Sequence, residues 1–485
     1  MRLSKEYAYE RIKPADDVMH EECGVFGIYM NDKTYDPAEA AYLGLYALQH
    51  RGQESAGIAV ADGSGIRVHK GMGLCAEVFR NSLGSLSGGH IAIGHVRYST
   101  CGDSAVENCQ PIVLSYRKGK LAMAHNGNLV NCEILRNRLV DEGMIFQTTL
   151  DTEVMAALIA RFSKLGLIDA ITRMMKMVRG AYALTIMTED ALIGVRDPRG
   201  VRPLALGKLD DNYVLASESC AFDAIDAEFV RDIRPGEIVV IGKDGLKSFQ
   251  AQASRETALC IFEYVYFARP DSDIDGISVY RSREAMGIRL AKAYPVCADL
   301  VGGVPDSATP AATGYAAQSG IPFAKLLAKN RYVGRTFIQP SQSLRERGVK
   351  LKLNAMKRIV HGKKLVLVDD SIVRGTTSKK IVEMLKLAGA REVHMRISSP
   401  PVKFPCYFGI DTPSHEELIG AKKSVEEIRR VIGADSLNYL TVEDLLKTVE
   451  GAGCNFCVGC FSGEYPVDIE KANKETESMK LSAEE

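Results

Sequence analysis

Several groups of residues in this chain have types and spacings that could do chemistry. One is Leu365 to Thr377, LVLVDDSIVRGTT. Its four leading apolar residues suit a short buried strand, with the carboxylates Asp369 and Asp370 at the carboxyl end. A turn from Ser371 to Thr377 follows, and Ile381, Met384, Leu385 and Ala388 predict a helix that Gly389 stops. Backbone N–H groups at such a helix start, two hydroxyls and Arg374 together make a phosphate cradle. Adjacent carboxylates just outside a strand can hold ribose hydroxyls, Mg2+, or both. A plain surface turn with two solvated aspartates would need neither the Asp pair nor the Arg-Gly-Thr-Thr run. A second candidate is Cys23, a thiol placed between Glu21-Glu22 and the strand-like Gly24-Val25-Phe26-Gly27-Ile28. A third is the C-x2-C-x2-C run of Cys454, Cys457 and Cys460.

Cys23 is followed, in order, by Leu48-Gln49-His50-Arg51-Gly52-Gln53-Glu54-Ser55-Ala56-Gly57, Gly94-His95-Val96-Arg97-Tyr98-Ser99-Thr100, Ala124-His125-Asn126-Gly127-Asn128-Leu129 and Asp151-Thr152-Glu153. This succession resembles the glutaminase domain of the amino-terminal-nucleophile (class II) amidotransferases. Glutamine hydrolysis requires a thiolate to attack the side-chain amide carbon, a base for the thiol proton, and donors for the oxyanion. If residues 1–22 are a propeptide removed on maturation, the α-amino group of Cys23 can be that base. An α-amine titrates near about 7.7–8.0 and a thiol near about 8.5, so the two are matched for transfer. The resemblance implies that Asn126 and the backbone N–H of Gly127 form the oxyanion hole. It implies too that Arg97, helped by Thr100, pairs with the glutamine α-carboxylate, that Asp151 takes the α-ammonium, and that Arg51 with Gly52 shapes the pocket. Asp151 reads alternatively as an N-cap of the helical EVMAALIARF run. Leu150 departs from the family, where a small hydroxyl residue is expected. His50 and His95 read as structural, bonded to backbone.

The Leu365–Thr377 stretch resembles the phosphoribosylpyrophosphate (PRPP) loop of the type I phosphoribosyltransferases. Asp369, Asp370, Ser371, Arg374, Gly375, Thr376 and Thr377 are then expected to hold PRPP. A further strand from Asp299 to Val304, ending in Pro305-Asp306-Ser307, places another strand-to-helix corner beside the first. By resemblance this is the pyrophosphate-side loop, with Ser307 joining Asp369 and Asp370 near Mg2+. Lys329-Asn330-Arg331-Tyr332-Val333-Gly334-Arg335-Thr336 is basic. Lys329 and Arg335 read as PRPP contacts in a closing loop, from Lys329 to roughly Lys350, that keeps water from the reactive carbon; an exposed basic helix end is the alternative.

Both halves together resemble the glutamine PRPP amidotransferases. Membership implies that ammonia released at Cys23 is added to C1 of PRPP, giving 5-phosphoribosylamine, pyrophosphate and glutamate, in the first committed step of purine nucleotide synthesis. Two close cysteines plus two distant ones can hold zinc or an iron-sulfur cluster, and spacing does not choose between them. The contexts CIFEYVYFARPD, PCYFGID and CVGCFSGEYP resemble the iron-sulfur subgroup. That maps a structural [4Fe-4S] cluster onto Cys260, Cys406, Cys457 and Cys460, with Cys454 spare or exchanged with Cys460. The remaining cysteines, Cys75, Cys101, Cys109, Cys132, Cys220 and Cys297, read as buried free thiols. The resemblance also implies a homotetramer and feedback inhibition by purine nucleotides. Two other readings compete with it: a PRPP-sensing regulator without turnover, for which the Cys23, Arg97, Asn126, Gly127 and Asp151 set has no use, and an amidotransferase acting on a sugar phosphate, against which the Asp369-Asp370 loop argues.

These residues need elements to position them. From Gly180 to about Ser254, short strands alternate with turn signals, Arg234-Pro235-Gly236 and Lys243-Asp244-Gly245 among them. Strands between helical stretches suit two antiparallel sheets covered by helices, the four-layer αββα arrangement of the Ntn-hydrolase glutaminases. Arg196 to Leu204 reads as the pocket's back wall, a domain junction or a solvated loop. From about Glu256, strand-turn-helix units predict the α/β domain of a type I phosphoribosyltransferase. The expected division is a propeptide 1–22, a glutaminase domain 23–255, a phosphoribosyltransferase domain with the cluster ligands 256–466, and a charged, frayed tail 467–485. At 485 residues, two or three domains are the prior. Charge is balanced, with 61 basic and 61 acidic residues, so no bulk electrostatic case exists for nucleic acid or membrane partners. No apolar run approaches a membrane span, and residues 1–22 lack the apolar core of a signal peptide. A cytoplasmic location with reduced thiols is expected.

Overall fold

The computed structural model describes residues 23–32, 34–98, 105–252, 256–330, 353–410, 412 and 414–479. They fall into two compact units. The first takes in the described residues of Met19–Met286, Lys403–His415 and Thr441–Glu485; the second takes in Gly287–Val402 and Glu416–Leu440.

The first unit is built on two antiparallel sheets. Seven strands make one: β1 Gly24–Tyr29, β2 Ser55–Ala61, β3 Ile66–Met72, β4 Ile91–Arg97, β9 Ala205–Leu209, β10 Asn212–Ala216 and β11 Glu228–Asp232, in the order β11-β9-β10-β1-β4-β2-β3. Six make the other: β5 Ile112–Tyr116, β6 Gly119–Leu129, β7 Gly180–Met187, β8 Leu192–Arg196, β12 Glu237–Gly242 and β13 Gly245–Gln250, in the order β13-β12-β8-β7-β6-β5. Period-two alternation explains how one strand serves two layers. In β1, Val25 and Tyr29 enter the core between the sheets with Ile91, Ile93, Ala122, Ala124 and Leu192. Phe26 and Ile28 face the other way, against Ala38, Ala41 and Leu45 of the helix Pro37–Ala47. Helices Asp151–Arg161 and Leu167–Met177 cover the six-stranded sheet through Val154, Leu158, Ile171 and Met174. Strands buried on both faces tolerate few polar residues, and each large apolar side chain removed from water contributes roughly 1.5–3 kcal/mol. This is the expected αββα arrangement.

The second unit is a parallel sheet of Leu300–Gly303, Lys364–Asp369, Glu392–Ile397 and Ser436–Tyr439, in that spatial order. Helices Thr309–Ser319, Thr376–Leu387 and Val425–Ile432 accompany the strands. Leu365, Leu367, Ile381, Leu385, Met395 and Ile432 form its core.

Two local expectations are corrected. The end of the chain does not simply fray: Ile469–Ser478 is a helix, with Asp468 accepting from Lys471 N at 3.0 Å as its cap. Its Ala472 and Thr476 are buried, and Asn131 Nδ2 donates to Thr476 Oγ1 at 2.9 Å, so two small residues at helical spacing were enough to dock a charged segment. Cys297 is exposed and Cys132 half-buried, whereas Cys75, Cys109 and Cys220 are buried as expected; Cys101 lies outside the described residues.

Candidate active sites and a cysteine cluster

Cys23 precedes β1, and the pairing of Gly24 with Val96 sets it beside Arg97 at the end of β4. Its thiol is 7% exposed and points at the carbonyl oxygen of Tyr98, 3.5 Å away. Burial pushes the thiol up to about 11, against the smaller opposing pull of the Tyr98 contact and Arg97. A thiol held that high needs a base before it can attack. Arg97 is buried and pairs with Glu54 Oε1 at 3.3 Å. Thr100 lies outside the described residues, as do residues 1–22.

Asn126 and Gly127 sit in β6, opposite Ala183 and Tyr182 of β7. Asn126 is 1% exposed, yet its Nδ2 is buried without an acceptor among the described residues. Gly127 has φ +140°, and a Cβ there would lie 2.1 Å from the carbonyl oxygen of Ala181. The backbone can take this shape only with glycine. His125 completes the local order: its Nδ1 meets Asp151 Oδ1 at 3.2 Å, and its carbonyl oxygen is 2.9 Å from His95 Nε2. Since His95 lies opposite Val25 in the β1–β4 pair, this contact joins the sheet that begins just after Cys23 to the strand of Asn126. Burial drives His95 down to about 3, so it stays neutral and structural, as read from the sequence. Asp151 is the first residue of its helix, after the N-cap Leu150, and does not cap it. Burial works to raise its proton affinity, but His125 and the N–H of Leu129, 3.1 Å from Oδ2, outweigh that and keep it a carboxylate.

Arg51 is fully buried. Its Nε donates to the Cys23 carbonyl oxygen at 3.1 Å, Nη1 to Glu218 Oε1 at 2.6 Å and Glu263 Oε2 at 2.9 Å, and Nη2 to Glu263 Oε1 at 2.8 Å. His50 Nε2 is 2.8 Å from Glu218 Oε1, and its Nδ1 is 3.1 Å from the carbonyl oxygen of Ala47. Neither glutamate was found by sequence reasoning, since each meets Arg51 across more than 160 residues. The Arg196–Leu204 stretch is no solvated loop. Arg196 grips Asp275 at 2.8 Å, and Arg202 donates to the Phe408 carbonyl oxygen at 2.6 Å.

In the second unit, Asp369 and Asp370 are buried at the carboxyl end of their strand, 7% and 6% exposed. Asp370 Oδ2 accepts from Ser307 Oγ at 2.6 Å and Oδ1 from Ser371 Oγ at 2.8 Å, while Asp369 Oδ1 accepts from the Asp370 N–H at 3.0 Å. Ser307 thus reaches the acidic pair from the neighbouring corner. Gly375, at φ +82°, caps the helix that opens with Thr376 and Thr377. Arg374 Nη2 rests 3.3 Å from Glu417 Oε1, and Lys329 Nζ 3.0 Å from Asp306 Oδ2. Arg335 falls outside the described residues.

Cys260 and Cys457 are register partners in a short parallel pair, Leu259–Cys260 against Phe456–Cys457. The N–H groups of Lys403 and Phe404, just before Cys406, donate to the Cys460 carbonyl oxygen at 2.9 and 3.1 Å. Burial raises the thiols of Cys260, Cys457 and Cys460, and each is also influenced by Cys406. Cys454 instead turns its thiol to Asp275 Oδ2 at 3.8 Å. Among the described residues, no three His, Cys, Asp or Glu side chains stand as a group that could grip a metal ion. A lone zinc would need its four sulfurs about 3.8 Å apart, from Zn–S bonds of about 2.3 Å in a tetrahedron.

Family models match both units. Residues 34–144 match glutamine amidotransferases class-II, residues 95–224 a glutamine amidotransferase domain, and residues 283–398 a phosphoribosyl transferase domain. The chain is 52% identical over 456 residues to the amidophosphoribosyltransferase of Bacillus subtilis, covering 93% of this chain and 95% of that one. Its identity to the amidophosphoribosyltransferase of Archaeoglobus fulgidus is 53% over 451 residues, with 92% and 98% covered. A solved structure of the B. subtilis glutamine PRPP amidotransferase complexed with ADP and GMP superposes with a TM-score of 0.86 at 52% identity, over 92% of this chain and 98% of that one. Among the described residues, no helix is long and apolar enough to cross a membrane. With a buried thiol and a buried side-chain amide in one unit, a buried acidic pair at a strand-to-helix corner in the other, and relatives matched nearly end to end, the chain belongs to the amidophosphoribosyltransferase family.

Proposed function

We propose that Cys23, made residue one by removal of residues 1–22, is the nucleophile of the glutamine-dependent amidotransfer to PRPP that this family performs in purine biosynthesis. The carrying observation is Asn126 Nδ2, a donor kept buried and unpaired among the described residues. Such a group suits an oxyanion that exists only during reaction. The α-amine of Cys23 takes the thiol proton, Sγ attacks the glutamine amide carbon, and Asn126 with the Gly127 N–H receives the developing charge. The same amine returns the proton to departing ammonia, and water then releases glutamate. Arg97 and Thr100 hold the glutamine carboxylate, and Asp151 its ammonium.

In the second unit, Asp369 and Asp370 bind the PRPP ribose hydroxyls, and the helix start at Thr376 and Thr377, with Ser371, Arg374 and Gly375, takes the 5′-phosphate. Lys329 and Arg335 meet the pyrophosphate. Asp369, Asp370 and Ser307 would hold Mg2+, which would supply charge neutralisation for the leaving pyrophosphate. The Ser307 and Ser371 hydroxyls on Asp370 support this reading, because they pre-orient a carboxylate toward one face.

A [4Fe-4S] cluster would be held by Cys260, Cys406, Cys457 and Cys460, of which Cys260 and Cys457 are register partners, in preference to a set including Cys454, whose thiol faces Asp275. It would tie the chain's end to residues near Cys260. ADP and GMP named with the B. subtilis structure support purine nucleotides as inhibitors here. A homotetramer in the cytoplasm completes the reading.

The test pairs two assays on anaerobically purified protein whose intact mass shows the start at Cys23. Cys23→Ala should abolish phosphoribosylamine formation from glutamine and leave formation from ammonia. Equal loss of both would refute the two-site scheme, and an active chain retaining Met1 would refute the α-amine as base.

A further inference from the structure

The Arg51 network fixes more than a pocket wall. Once residues 1–22 are gone, Cys23 has no preceding peptide, and the orientation of its Sγ and α-nitrogen depends on what holds its carbonyl. The carbonyl oxygen receives Arg51 Nε at 3.1 Å. Arg51 is itself held on the other edge by Glu263, in two parallel bonds of 2.8 and 2.9 Å, and at Nη1 by Glu218 at 2.6 Å. A bidentate Arg–carboxylate pair fixes the guanidinium plane as well as its position.

Both carboxylates are fully enclosed, with side chains 0% exposed. Burial works to raise the proton affinity of Glu218, but His50 and Arg51 outweigh it and hold the carboxylate charged. Glu218 also accepts from Arg269 N at 2.9 Å and Ser272 Oγ at 2.7 Å, with Cys220 Sγ at 3.7 Å. It is therefore anchored independently of Arg51. Glu263 lies three residues after Cys260 in a short helix, Glu263–Phe267, and Arg202 Nη1 stands 3.7 Å from its Oε1. Removing one member of a buried ionic group leaves the others without their partner, so such a cluster holds a single geometry or fails.

We infer that Glu263 and Glu218 are positioning residues for the glutaminase step: they lock Arg51 on the Cys23 carbonyl and so aim the nucleophile and its α-amine. This rests on Cys23 being the nucleophile. Neither glutamate reaches the substrate in this scheme. Glutamine is held by Arg97 and Asp151, so the loss falls on turnover and not on binding.

The test is Glu263→Gln, which keeps the shape and removes the charge, with Glu218→Gln as a second variant. Each is compared with the unsubstituted protein in three readouts: steady-state glutaminase kinetics, ammonia-dependent phosphoribosylamine formation, and covalent labelling by an electrophilic glutamine analogue. Labelling extent counts folded sites, and the rate is expressed per labelled site. The expected result is a glutaminase kcat and labelling rate at least tenfold lower, a glutamine KM within about twofold, and ammonia-dependent activity unchanged. A kcat per labelled site within twofold of the unsubstituted protein, or a fall in both activities together, overturns the inference. If Cys23→Ala keeps its glutaminase, the underlying reading fails instead, and the two failures are told apart.

Discussion

A buried amide that donates to nothing costs a fold about 1–3 kcal/mol, and among the described residues Asn126 Nδ2 finds no acceptor. Removing it should therefore cost activity without costing stability. Asn126→Ala is expected to lower glutamine-dependent kcat by roughly 10²–10³, the usual effect of losing one oxyanion donor, with the thermal midpoint unchanged or raised. Steady-state kinetics and a calorimetric melt on one preparation check both halves. Residues of this kind can be nominated from sequence because their motifs are contiguous: Asn126-Gly127 and Asp369-Asp370 stand out in two letters each. Glu218, Glu263 and His125 were not nominated. A glutamate in Ser217-Glu218-Ser219 looks like any surface carboxylate until the fold brings Arg51 to it from 167 residues away.

At the scale of elements, period-two burial made the sheets readable, and strand-turn-helix order made the second unit readable. Pairing partners were not readable, because register depends on non-local contacts; the alignment of Cys260 with Cys457 is an instance. That short pair bears on the proposed choice of cluster ligands. Cys454 belongs to the same run but its thiol lies on Asp275, so Cys454→Ser should keep the iron content and visible absorption of anaerobically purified protein. Cys460→Ser should lose both, and the reverse pattern would exchange the two assignments. The final helix was missed for a different reason: Ala472 and Thr476 are too small to give an apolar stripe, yet small size is what lets a helix lie close against its neighbours.

The whole molecule answers to pH through carboxylates like Glu237, which accepts two bonds from Arg231 and one each from Arg234 N and Ser248 Oγ. Burial alone would raise its proton affinity, but Arg231 and Ser248 outweigh it and bring it down to about 2 from 4.5. Between these values the unfolded chain binds more protons than the folded one. The stabilisation is thus complete above about 4.5 and is lost as pH falls toward about 2. Glu237→Gln should flatten the loss of stability across that window in acid-unfolding curves, and an unchanged slope would assign the acid sensitivity elsewhere. The sequence predicts a boundary near Glu256, whereas the first compact unit runs on to Met286 and takes back Lys403–His415 and Thr441–Glu485, a re-entry that sequence order hides. This re-entry bears on birth at the ribosome. Arg51 and Arg202 emerge early, yet the groups that hold them, Glu263 and the Phe408 carbonyl, emerge up to 212 residues later. Vectorial synthesis, which ordinarily lets a leading domain fold first, leaves this one waiting with Arg51 short of Glu263 and Arg202 short of the Phe408 carbonyl. A gene truncated after residue 255 should consequently yield not a free-standing glutaminase but an incomplete one.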